Sequence, residues 1–264
     1  MYEIFNFRRF VLLFRKTLLE RPVQITGLCV LNLLVSLLIY FFCKYIIGFE
    51  VAQNASFMVG LVGGGAFMAS MVYGHFSSYA NGTSFLTLPA SSFEKWLCGI
   101  IIAGILYPAI FLIFFRGMDL LFVWQYHRNL DPRAYNYRSL YDAVYEFQLS
   151  GFLARAGYMF FLNLTGLMLT GSLYFNKAAF IKVALVVCGL FFITFMLNHM
   201  IASSLFQHLD SANPFHSVFL KAGNDVGRVD LPEPVFDAFH NITMGVLPCI
   251  LWLLPYLRLK EKEI

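Results

Sequence analysis

"NGTSFLTLPASSFEKWLCG", residues Asn81–Gly99, separates two runs of almost purely apolar residues. Asn81-Gly82 is a turn signal. Ser91-x-x-Glu94 has the form of a capping box, in which Ser91 accepts from the first free N–H groups of a helix and Glu94 reaches back to the cap. Pro89 precedes that cap, where its missing N–H does no harm. The stretch therefore predicts a short turn and the start of a new helix. The chain on either side has the length and apolarity of a membrane span.

Composition agrees. The chain is 59% hydrophobic with 13% charged residues, against about a quarter charged in a soluble domain. Mean hydropathy is +0.69. A chain of 264 residues cannot hide that much apolar surface in one core, so lipid is its solvent. The net charge of +4 gathers no basic, aromatic-laced surface, and nucleic acid is not expected as a partner. The five cysteines form no CxxC pair and read as small buried hydrophobes.

A spanning helix needs roughly 20 apolar residues. Six segments qualify: Val23–Ile47, Ala55–His75, Trp96–Phe115, Phe152–Phe175, Ala178–Phe206 and Val235–Leu257. The predicted class is an all-α integral membrane protein, with six transmembrane helices over residues 23–264 and an amphipathic interfacial helix over residues 1–22. In that helix Ile4, Phe7, Val11, Phe14 and Leu18 recur at steps of three and four, while Arg8, Arg15 and Lys16 fall away from the stripe. Such a helix suits the headgroup layer of membrane lipid. An inside N-terminus places most of the 19 Lys and Arg residues on the cytoplasmic side, in the shorter segments. Both termini are then cytoplasmic in a multi-pass protein, and the outer loops cover residues 116–151 and 207–234. In the first, Tyr137, Leu140, Tyr141, Val144, Tyr145 and Phe147 predict a short helix resting on the membrane. The second, with several Pro and Gly, is expected to be irregular or partly re-entrant.

Within the second span Gly60 and Gly64 form a GxxxG, with Gly63 beside them. That pattern permits close helix approach, inside the subunit or between copies. No GxxxxGK[ST] is present, so ATP binding through a P-loop is not expected. The histidines have no metal-site spacing, and no nucleophile–base pair supports an intramembrane enzyme. No cofactor and no metal are expected. Asn163, Thr165 and Thr194 are candidates for hydrogen bonds between helices.

The 76–95 segment also resembles a known family. Gly82, Thr83, Leu86, Leu88, Pro89, Ser91 and Glu94 are similar to the loop between spans two and three of type-2 ATP-binding-cassette (ABC) exporter permeases. The form with "LPAS" and "EKW", and the ending "PYLRLKEKEI", are similar to permease-like subunits of Bacteroidetes bacteria. The resemblance implies the membrane-spanning permease subunit of an ABC exporter, in the inner membrane, without enzymatic activity of its own. Residues 76–95 would be a coupling loop against a separate cytoplasmic ATPase subunit, with the permease as a homodimer or a heterodimer with a second permease. Phe85, Leu86 and Leu88 would supply the apolar contact, carried by Pro89, Ser91, Glu94 and Lys95. A non-transporting scaffold or accessory subunit anchoring an ATPase or an envelope complex is the alternative.

Overall fold

A backbone in hydrocarbon has no water to satisfy its N–H and C=O groups, so each apolar run closes its own hydrogen bonds as a helix. The computed structural model describes residues 5–20, 22–77, 79–175, 178–206, 209–213, 217–222, 225–230 and 232–262. The protein is an all-α integral membrane protein. The amphipathic helix α1 (Phe7–Glu20) is followed by α2 (Pro22–Ile46) and the second spanning helix α3 (Phe49–Val72). A short helix α4 (Tyr79–Leu86) leads to the third span α5 (Ser92–Arg128). A single turn or so of helix, α6 (Tyr137–Asp142), precedes α7 (Phe152–Tyr174), α8 (Ala179–Leu205) and the last span α9 (Asp237–Lys262). We call the end of the bundle that carries α1 and α4 basal, and the other end distal.

Two helix boundaries differ most from the sequence reading. The second span begins at Phe49, right after a turn at Gly48, whose φ of 139° lies where side chains are strained. Glu50, Gln53 and Asn54 looked like loop residues, yet they are helical. The third span runs on to Arg128 rather than ending at Phe115. At 37 residues it is about 55 Å long against about 30 Å of hydrocarbon, so it projects well beyond the bilayer. The residue that holds this extension is Asp119, fully buried. Its carboxylate accepts from Tyr40 Oη at 2.8 Å, from Gln53 Nε2 at 2.9 Å and from the Phe147 backbone N–H at 2.7 Å. Gln53 also donates to the Tyr145 carbonyl, and Arg116 pairs with Glu146. The strap 143–149 is thus tied to the bundle. Its Phe147 enters a ring cluster with Phe57 and Phe115, rather than resting on the membrane as the sequence predicts. Helix α6 is the part of that expectation that forms.

The 207–234 loop is a correction. It contains an antiparallel meander, β1 (Leu209–Asn213), β2 (Ser217–Ala222) and β3 (Asp225–Asp230), in the order β1-β2-β3. Val218 faces Val229, and Ala222 faces Asp225 across the second pair. Asn198 Nδ2 donates to the Ala212 carbonyl and fastens the sheet to α8.

Among the described residues three π-helical turns interrupt the spans, at Val59–Gly63, Ile101–Leu106 and Ile242–Val246. The second and third end just before Pro108 and Pro248. A proline has no N–H for the carbonyl four residues back and crowds it; a wider turn there relieves the clash. The first lies in the glycine cluster. A Cβ on Gly60 would meet Phe111 and Ser36, and one on Gly64 would meet the Tyr107 hydroxyl and Asn32. The close approach of Gly60 and Gly64 is therefore made within the chain. Tyr107 Oη donates to the Gly60 carbonyl at 2.5 Å, which satisfies a group of the π turn. Gly63 does not take part: it is exposed, with only Val59 nearby. Ser36 and Ser56 exchange hydrogen bonds where α2 and α3 cross.

These contacts give two expectations. Gly64→Leu should destabilise by about 2 kcal/mol, the usual scale of overpacking, and lower the melting temperature in detergent by about 5 °C. Gly63→Ala should leave it within roughly 1 °C. Asp119→Ala would remove the shared acceptor of three buried donors, of which Gln53 keeps the Tyr145 carbonyl, at about 3 kcal/mol or more. Hydrogen exchange over residues 144–150 should rise sharply in that variant, and an unchanged exchange rate would dismiss the strap assignment.

Candidate functional site

The first turn of α5 brings three elements together at the basal end. Ser91 Oγ accepts from the Glu94 N–H at 3.2 Å, and Glu94 Oε2 accepts from the Ser91 N–H at 3.0 Å. The capping box read from the sequence is present. The Glu94 carboxylate does more than cap. It is 0% exposed and accepts from Arg9 Nε at 2.8 and 3.0 Å, from Arg9 Nη2 at 2.8 Å and from the Asn6 backbone N–H at 2.8 Å. A guanidinium fork on a carboxylate is among the strongest side-chain pairings. The negative charge also sits at a helix N-terminus, where the macrodipole favours it. Arg9 and Asn6 belong to the N-terminal segment, so this one carboxylate joins α1 to the base of the third span.

Lys95 points elsewhere. It is 1% exposed, and its Nζ donates to the Leu86 carbonyl at 2.8 Å, at the C-terminus of α4. A cation there satisfies a carbonyl left over by the helix end and complements its partial negative charge. The Phe85 ring lies 5.9 Å from the same ammonium. Adjacent residues thus hold two different helices: Glu94 holds α1 and Lys95 holds α4. Trp96 completes the turn by donating from Nε1 to the Trp252 carbonyl of α9 at 2.7 Å. Trp252 in turn donates to the Leu162 carbonyl of α7. Its ring fills the space that Gly104 and Gly166 leave open.

The apolar residues of the 76–95 segment face inward, which corrects the expected exposed patch. Phe85 is buried, edge-on to Phe76 at 5.8 Å. Leu86 and Leu88 are half-buried and pack on the same basal core. Phe76 is covered in turn by Lys262, whose Nζ lies 4.5 Å from the ring. Among the described side chains of α4 and the following turn, Thr83, Ser84, Thr87 and Pro89 are exposed. Phe85 therefore supports the loop from beneath, while Leu86 and Leu88 pack on the core and keep part of their surface exposed.

Helix α1 is also placed differently from the sequence stripe. Phe10, Leu13 and Thr17 are its buried face, against Cys98 and Ile102. Phe14 and Leu18 flank this contact, whereas Phe7 and Val11 are exposed, and Ile4 lies outside the described residues. Among the other polar candidates, Asn163 Nδ2 donates to the Thr243 carbonyl and joins α7 to the π turn of α9. Thr165 Oγ1 has no hydrogen-bond partner. Thr170, which the sequence reading passed over, donates to the Leu251 carbonyl. Among the described residues no group of three or more His, Cys, Asp or Glu could hold a metal, and His208 and His216 lie outside them. The sequence reading did not single out Arg9. The signal for its role was Glu94 itself, a carboxylate in an apolar setting that requires a cation.

Glu94→Ala should cost about 2 kcal/mol, less than for a fully enclosed pair, because Arg9 keeps 35% of its side chain exposed. Hydrogen exchange over residues 6–20 should increase, and Arg9→Ala in the same background should add little, as a double-mutant cycle would measure. Additive losses would show that the two residues do not act as a pair. No protein-family profile, no curated protein and no solved structure matches this chain.

Proposed function

We propose that this protein is the membrane-spanning permease subunit of an ABC exporter, in the inner membrane with both termini cytoplasmic, and that α4 is its docking element for a separate ATPase subunit. The family likeness of residues 82–94 motivates the reading. The observation that carries it is the double anchorage of the first turn of α5. A load applied to α4 reaches the third span through Lys95 and the Leu86 carbonyl, and α1 is held to the same turn by Glu94. Docking then falls to the polar outer face, Thr83, Ser84, Thr87 and Pro89, with Phe85 as the support beneath. ATP-driven closure of two ATPase subunits would move α4 and tilt α5 in each half of a permease dimer. A non-transporting scaffold that anchors an ATPase would use the same contact, and the fixed, internally supported loop suits an anchor equally. ATP-dependent transport by reconstituted vesicles separates these two readings.

Purification in mild detergent from the native membrane should bring an ATPase with the protein. Ser84→Lys with Thr87→Lys should lower its recovery at least roughly tenfold, about 1.4 kcal/mol in affinity, with the melting temperature unchanged. A wild-type preparation without ATPase, or a variant with undiminished recovery, would remove the docking assignment. Cysteine at position 84 should resist an impermeant reagent added to intact cells, because α4 lies on the inner side; labelling there would reverse the proposed orientation.

A further inference from the structure

Helix α1 has two apolar sides, and the chain uses one of them. Phe10, Leu13 and Thr17 are spent on the third span. Away from that contact, Phe7, Leu12 and Leu19 are 71%, 61% and 62% exposed. Arg8, Arg15 and Lys16 are exposed as well. Within α1 these three bases meet one acid, Glu20, and the fourth base, Arg9, is turned onto Glu94. Arg8 and Arg15 are seven residues apart, about 10 Å along the axis, and stand on one side of the helix because seven residues close two turns. Leu12 and Leu19 are likewise seven apart and lie beside that row. The occupant of this surface must be apolar and anionic along the whole helix, about 21 Å. The edge of an anionic bilayer has that character: acyl chains for the leucines, and phosphates for bases that reach outward on long stems.

We propose that the outward side of α1 binds anionic phospholipid, with Arg8, Arg15 and Lys16 on headgroup phosphates and Phe7, Leu12 and Leu19 among the upper acyl chains. Through Arg9 and Glu94, lipid occupancy then steadies the base of α5. This assignment does not depend on the exporter reading.

The test uses the full chain in neutral mixed micelles, titrated with either phosphatidylglycerol or phosphatidylcholine while thermal unfolding is followed. Phosphatidylglycerol should raise the melting temperature, with an apparent affinity roughly a hundredfold above that of phosphatidylcholine. Salt at about 0.5 M should largely abolish the difference. The variant R8Q/R15Q/K16Q, which keeps the Arg9 pair, should lose most of the response. The charge-matched variant R133Q/R138Q/K221Q, altered at exposed distal positions, should retain it. Equal responses to the two lipids, or equal losses in the two variants, would overturn the proposal. So would an α1 variant that keeps its lipid response and instead loses a co-purifying protein, since α1 would then be a protein-docking surface.

Discussion

The arrangement of the basal end depends on one buried carboxylate. Glu94 is removed from water, and a charge so placed is tolerable only with a full complement of donors. Arg9, Asn6 and Ser91 supply them. Meeting that requirement fixes where the chain before the first span must lie, the direction in which α5 starts, and the side of α1 that is buried. The neighbouring ammonium of Lys95 imposes a similar demand on α4. Two charges of opposite sign, one residue apart, therefore tie down two helices whose apolar faces also pack on the bundle.

Within the hydrocarbon the governing constraint is the satisfaction of backbone groups. In the π turns of α3 and α9, a side chain from a neighbouring helix arrives with a donor. Tyr107 reaches Gly60 in the turn of α3, and Asn163 reaches Thr243 in the turn of α9. Glycine makes both the disturbance and the approach possible: the Tyr107 ring can come so near because Gly64 has no side chain. In α3 the irregular backbone is enclosed by protein, with Gly60 and Leu61 buried.

Much of this architecture was legible from hydropathy and a few local signals. Six spans follow from apolar length, and the capping box follows from Ser91 and Glu94. The remainder was hidden for identifiable reasons. Gln53, Arg116 and Asp119 read as aqueous loop residues, since a sequence shows charge but not the partner that neutralises it. In α1 both the 7/11/14/18 stripe and the 10/13/17 stripe are compatible with a helix. The choice between them was made by Cys98 and Ile102, which lie some 80 residues away. The apolar residues of the 76–95 segment looked exposed because a sequence does not show that Phe76 packs edge-on to Phe85, or that Lys262, far along the chain, covers Phe76. The meander did leave a mark: Gly223-Asn224, between two runs of alternating residues, is a hairpin-type dipeptide, set in a loop whose prolines and glycines drew attention to irregularity instead.

The π turn before Pro108 gives α5 a mechanical character. On its basal side are the nine residues Ser92–Ile100, gripped by α1 and α4; on its distal side are the 22 residues Tyr107–Arg128, gripped through Asp119. At 1.5 Å per residue these are arms of about 13 and 33 Å. Trp252 seats against Gly104 at the joint between them, in the place of a fulcrum. A tilt about Gly104 moves the distal tip about twice as far as the basal turn. Tyr40, Gln53 and the 143–149 strap, all fastened to the long arm, would feel a small basal displacement already enlarged.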